Sequence, residues 1–218
     1  MMKNEKRTLL LTTLICLIPM IAGALVYKRL PESMATHFGL DGTPNGWSSR
    51  PVAVFVLPGI LLAVNLLMPF LLRADPKHEN MSSALKTVTI WAIPLISLVC
   101  SGATLGRGLG YDVRIEQILP VLMGVLFVVI GNYLPKTKQS YTMGIKLPWT
   151  LASEENWNRT HRLAGFLWVI AGLYFIVMSF IGWSLPAFLI PLFVMILVPT
   201  VYSYLLYRKG IRRRKREE

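Results

Sequence analysis

The densest collection of reactive side chains in this 218-residue chain lies between Gly131 and Arg162. Glu154, Trp157, Asn158 and His161 fall there at spacings that share one face of a helix. A carboxylate and an imidazole seven residues apart on one face form a candidate acid–base pair. A charged Glu154 would favour a protonated His161, so function is expected to vary between about pH 6 and pH 8. The segment also holds five cations (Lys136, Lys138, Lys146, Arg159, Arg162) and a second tryptophan, Trp149. Ser153 is a good N-cap, with Glu154 and Glu155 in the first turn. The helix it starts is predicted over Glu154–Arg162, leading into the fifth apolar run, with Glu155 and Arg159 as an i,i+4 pair. Two uses of this chemistry remain open. The tryptophans can anchor an interfacial helix at headgroup level while Lys and Arg reach water. Alternatively, the helix is a docking platform for a cytoplasmic partner or a site that grips something at the membrane surface.

A second candidate segment, Leu30 to Trp47, is rich in turn formers: Asp41-Gly42 and Pro44-Asn45-Gly46. Trp47 is expected at the membrane interface. His37 and Phe38 have no evident structural duty, which makes this loop a candidate surface for an extracellular ligand. The plainer alternative is a compact cap on the bundle.

Other motifs carry less. His37, His78 and His161 are the three histidines. The topology derived below puts His37 outside and the other two inside, so no three-His zinc site is expected. Cys16 and Cys100 lie inside apolar runs without partners at metal or disulfide spacing. The run from Gly102 to Gly110 resembles a phosphate loop but lacks its Lys-Ser/Thr and a preceding strand. Close helix packing through Gly102 and Gly106 is expected instead. Asn65 is read as an interhelical hydrogen-bonding residue.

These residues must be positioned by a membrane bundle. The chain is 54% hydrophobic with mean hydropathy +0.52, and only 16% of residues are charged. Six apolar runs are long enough to cross a bilayer: Leu9–Tyr27, Pro51–Leu72, Thr87–Gly106, Gln117–Leu134, Leu163–Gly182 and Pro186–Tyr207. Prolines recur within them and predict kinks. Lys3 to Arg7 followed by an apolar run and Ala22-Gly23-Ala24 resembles a signal peptide, but the run is long and an uncleaved first helix is preferred. Of the 23 Lys and Arg, eighteen fall at the termini and in the second and fourth connections, and five in the first, third and fifth. The positive-inside rule therefore places both termini in the cytoplasm. The net charge of +12 has this topological explanation, and no direct nucleic-acid contact is expected. The basic run Arg212–Arg216 is expected to meet anionic lipids. None of the six runs holds Asp, Glu, Lys or Arg, which weighs against an ion-coupled transporter.

The predicted architecture is an all-α integral membrane protein of six transmembrane helices, with a structured outer loop and an amphipathic inner-loop helix. The expected organisation is a two-span unit over 1–72 with outer loop 28–50, a third span with its flanks over 73–116, a region over 117–207 with inner loop 135–162, and a basic tail over 208–218.

Three stretches carry a resemblance: Gly131-Asn132-Tyr133-Leu134-Pro135-Lys136, then Gly144-Ile145-Lys146-Leu147-Pro148-Trp149-Thr150-Leu151, then Glu154-Glu155, Trp157 and Thr160-His161-Arg162. Together they resemble the signature of the SdpI family of bacterial membrane proteins. Leu30-Pro31, His37-Phe38, Gly42, Pro44-Asn45 and Trp47 resemble the small domain of unknown function that often precedes it. The sequence departs from the family pattern at Leu134, often Met, and at Lys146-Leu147, often Arg-Thr. The resemblance implies a bacterial cytoplasmic membrane protein that gives immunity to a secreted antibacterial peptide toxin, and in the founding member holds a transcriptional repressor at the membrane. It implies no catalysis, cofactor or metal. On that reading His37, Phe38, Asp41, Asn45 and Trp47 meet the toxin. Asn132, Lys136, Lys146, Trp149, Glu154, Trp157, His161 and Arg162 form the inner functional segment. A membrane-embedded enzyme, or a transporter exporting the peptide, is the alternative.

Overall fold

The computed structural model describes residues 3–77, 79 and 83–217, with side-chain detail for 6–77, 79 and 83–210. His78 and the side chains of the Arg212–Arg216 run lie outside the described residues. Among the described residues seven α-helices follow one another: α1 Lys3–Leu25, α2 Leu57–Arg73, α3 Ser83–Gly108, α4 Ile115–Tyr133, α5 Pro148–Leu151, α6 Glu154–Ile181 and α7 Leu185–Glu217. Each of them except the one-turn α5 supplies most of a span long and apolar enough to cross a membrane, as the apolar runs predict. Many of their large apolar side chains, such as Leu67, Phe70, Phe166 and Phe193, are exposed. In water such exposure would be costly, but in lipid it requires no partner.

The inner-loop helix leads into the fifth span as expected, Glu154–Arg162 forming the first turns of the continuous α6. One departure is local. The 28–50 segment holds a β-hairpin, β1 Ser33–Phe38 paired antiparallel with β2 Pro44–Ser49. A π-helical turn over Val52–Val56 leads into α2, with Pro58 just beyond it.

The elements belong to two compact units. The first takes in residues up to Phe70, Thr89–Leu122 and Met178–Trp183. Its core gathers Leu30, Met34, Ala53, Val54 and Leu105, with Val26, Tyr27 and Leu109 against them. Asn65 of α2 is fully buried and donates to Thr13 Oγ1 of α1 at 3.3 Å, the interhelical bond expected of it. The second unit takes in Leu71–Val88, Met123–Val177 and the residues from Ser184 on. Here α4 and α6 touch backbone to backbone. A Cβ at Gly124 would lie 2.6 Å from the Gly172 carbonyl oxygen, and one at Gly165 2.6 Å from that of Gly131. Small residues seven apart on each helix permit this approach. The glycine packing expected at Gly102 is therefore misplaced: that position faces open space, and Gly106 meets only Val113.

Candidate functional site

The hairpin of the first unit has two different faces. Met34 points into the core and is buried, and Thr36 and Ser48 share a hydrogen bond of 3.0 Å. On the other face the register sets Ser33 against Ser49 and Ala35 against Trp47. His37 and Asn45 extend that face and hydrogen-bond to each other, Nδ1 to Oδ1. His37, Asn45 and Trp47 are all exposed, Trp47 at 59%. Phe38 is half-buried. Asp41 lies in the turn, where its Oδ1 accepts from the Thr43 hydroxyl (2.6 Å) and amide (3.0 Å). The hydroxyl and then the amide hold this exposed carboxyl below its ordinary range. Arg107 at the end of α3 donates to the Gly42 carbonyl at 3.4 Å, and the Glu116 carboxylate lies beside Gly42. The connections after the first and third spans thus meet, as alternation of spans requires.

The second unit holds the segment between α4 and α6. Trp157 and His161 are both fully buried, their rings stacked at 4.0 Å and 23°. The indole N–H of Trp157 donates to the Thr137 carbonyl at 2.8 Å. The His161 Nδ1 lies 2.8 Å from the Trp157 carbonyl, which can only accept. Its Nε2 accepts the Ile145 amide at 2.8 Å. One nitrogen donates and the other accepts, which defines the neutral ring. Gly144 crosses directly over the pair with φ of +107°. A Cβ there would fall 2.5 Å from His161 Nε2 and 2.8 Å from the indole. Thr150 is buried; its hydroxyl donates to the Ile145 carbonyl at 2.8 Å and accepts the Leu147 amide at 2.9 Å.

This geometry corrects three expectations. His161 is not paired with Glu154, which is exposed, so the expected titration between pH 6 and pH 8 has no basis in the site. The face with Trp157 and His161 is completed by buried Asn156, Thr160 and Ala164, whereas Glu154 and Asn158 are exposed. The tryptophans are not simple headgroup anchors. Trp157 is interior, and half-buried Trp149 donates to Ser203 Oγ of α7 at 2.8 Å while packing on Tyr204 and Tyr207. The remaining members of the inner set, Asn132, Lys136, Lys146 and Arg162, are exposed. Lys136 lies 5.1 Å over the Tyr133 ring, and Lys146 Nζ donates to the Thr142 carbonyl at 3.2 Å. The local signals at the start of α6 are realised: Ser153 Oγ accepts the Asn156 amide at 3.2 Å, and Glu155 pairs with Arg159 at 2.9 Å.

Sequence reasoning passed over several buried polar residues. Asn156 donates to the Ser203 carbonyl at 2.9 Å and accepts from Thr160 at 3.0 Å. Their i,i+4 spacing beside Trp157 and His161 was the available signal. Asp75, 3% exposed, accepts from Ser140 at 2.6 Å across 65 residues, a pairing with no local signal. Among the described residues, no three His, Cys, Asp or Glu gather as a metal site.

Residues 136–203 match the model of the SdpI/YfhL protein family, and residues 14–62 that of DUF1648, a domain of unknown function. The chain is 27% identical over 206 residues to the immunity protein SdpI of Bacillus subtilis, covering 94% of this chain and 97% of that protein. It is 24% identical over 127 residues to an uncharacterized protein of Archaeoglobus fulgidus, covering 49% of this chain and 69% of the other. No solved structure matches.

Proposed function

We propose that this multi-pass membrane protein of the SdpI family protects its cell against a secreted antibacterial peptide toxin. The observation that carries the reading is the similarity to an immunity protein along almost the whole chain, the hairpin segment and the α4–α6 segment included. The hairpin is the recognition surface. His37, Asn45 and Trp47 present two hydrogen-bonding side chains and a large aromatic on one exposed, strand-ordered face, and nothing in the turn chemistry requires them there. Phe38 and Asp41 flank that face. Both termini are cytoplasmic, from the distribution of the basic residues. The α4–α6 segment then faces the cytoplasm and conveys the response to a transcriptional repressor through its exposed residues Lys136, Lys146, Glu154 and Arg162. Trp149, Trp157 and His161 hold the segment in shape. The basic tail meets anionic lipids. Protection in this reading needs no turnover, so neither catalysis nor a cofactor enters it.

The test is expression in a sensitive host challenged with the peptide. Growth protection is expected, with intact peptide left in the medium. Loss of the peptide would point to an enzyme, and its energy-dependent efflux to a transporter. Single-cysteine labelling tests the orientation. Ser140 is a poor probe site because it is buried against Asp75. Exposed Lys138 and Ser49 are suitable and should label from opposite sides, Ser49 from outside.

A further inference from the structure

We infer that Asp75 is the positioning residue around which the 139–143 turn folds, and that it thereby fixes the cytoplasmic face used in the signalling step of the reading above, on which this part rests. Asp75 follows α2 and is almost wholly buried. Its Oδ1 accepts the Lys77 amide at 2.8 Å. Its Oδ2 accepts the Ser140 hydroxyl at 2.6 Å and the Thr142 amide at 2.7 Å. Ser140 Oγ in turn accepts the Met143 amide at 3.1 Å. One carboxylate thus fixes both the short turn after α2 and the turn 65 residues later. Around it, Lys77 Nζ donates to Gln139 at 3.2 Å and lies 5.6 Å over the Tyr141 ring, and Gln139 donates to the Thr150 carbonyl at 3.0 Å. Immediately beyond Met143 come Gly144 and Ile145, which close over Trp157 and His161. Exposed Lys138 and Lys146 flank the latched turn.

The chemistry needs a carboxylate and not merely its volume. Each oxygen of Asp75 receives a backbone N–H. An asparagine side chain has one accepting oxygen, and its NH2 must point at one of those two amides whichever way it turns. Asp75→Asn therefore keeps the packing and loses the latch, and a buried amide N–H is left facing a donor. Ser140→Ala is milder, because the carboxylate and both amide bonds remain.

Limited trypsin digestion of the full-length protein in detergent micelles reads the latch directly. Cuts after Lys138 and Lys146 report the 139–143 turn, and the cut after Arg29 in the first unit is the internal control. Asp75→Asn and Asp75→Ala should both speed the Lys138 and Lys146 cuts by at least about tenfold, the scale of one lost hydrogen bond to a charged group, with the Arg29 cut unchanged. Acceleration in Asp75→Ala alone would make the residue a packing element and overturn the proposal. If an Asp75 variant also accelerates the Arg29 cut, Ser140→Ala decides: a smaller, local acceleration sustains the latch, and wild-type digestion overturns it. Repressor recruitment to membranes is measured in the same Asp75→Asn protein. Local opening with unchanged recruitment would leave the latch standing and remove the signalling reading.

Discussion

The hairpin and the α4–α6 segment spend their polar side chains in opposite ways. In the hairpin, His37, Asn45 and Trp47 stand on the solvent face, and strand pairing and the Asp41 turn hold the shape without them. In the segment after α4, Ser140, Thr150, Asn156, Trp157, Thr160 and His161 turn inward and are the shape. Sequence alone had assigned functional residues to both, because Trp and His look alike whether they recognise or support. Burial distinguishes the two sets. Substitutions in the hairpin should change recognition at constant stability, and substitutions in the other segment should change folding first.

The largest expected contrast is between two tryptophans. Trp157→Ala empties a fully buried site and orphans the Thr137 carbonyl, and should cost about 3–5 kcal/mol. Trp47→Ala removes a mostly exposed ring and should stay within about 0.5 kcal/mol. Thermal unfolding in one detergent checks both, and equal losses would erase the distinction. Next comes Gly144→Ala, where positive φ and the His161 contact act together; a cost of about 2 kcal/mol or more is expected in the same assay.

The smallest effect is one of pH, and it separates Asp75 from His161. Burial alone would raise the Asp75 pKa, but the hydrogen bonds from Ser140, Lys77 and Thr142 outweigh it and hold the carboxyl at about 2. A folded value below the unfolded one means a stabilising contribution that is complete above about pH 4 and lost as pH falls toward 2. Near-UV circular dichroism should therefore be flat from pH 8 to pH 5 and change only below about pH 4, with that step reduced in Asp75→Asn. A transition between pH 6 and pH 8 would instead restore His161 as the titrating group.

How much was legible follows from the range of each signal. The six spans were readable because hydropathy over about 20 residues needs no knowledge of neighbours. Ser153 and the Glu155–Arg159 pair were readable because caps and i,i+4 pairs are local. The hairpin strands were not: only Thr36 in the Ser33–Phe38 run is β-branched, and Pro44-Asn45-Gly46 reads as a turn. Helical periodicity placed Trp157 and His161 together but gave Glu154 a share of their face, because spacing does not say where the buried arc ends. The contact of Asp75 with Ser140 and Thr142 joins different connections and leaves no trace in either. The close α4–α6 approach had a visible clue, Gly124 and Gly131 against Gly165 and Gly172, which the shorter Gly102–Gly106 spacing outshone.

Recognition of the toxin by the hairpin face is the proposal most open to a direct test. The direct measurement is growth protection against the cognate peptide by His37→Ala/Trp47→Ala, compared with the wild type at matched membrane abundance and matched thermal stability. The expected result is a loss of protection of about tenfold or more, the scale of removing one aromatic anchor from a recognition surface. Wild-type protection at equal abundance and stability would contradict it and move recognition away from the hairpin.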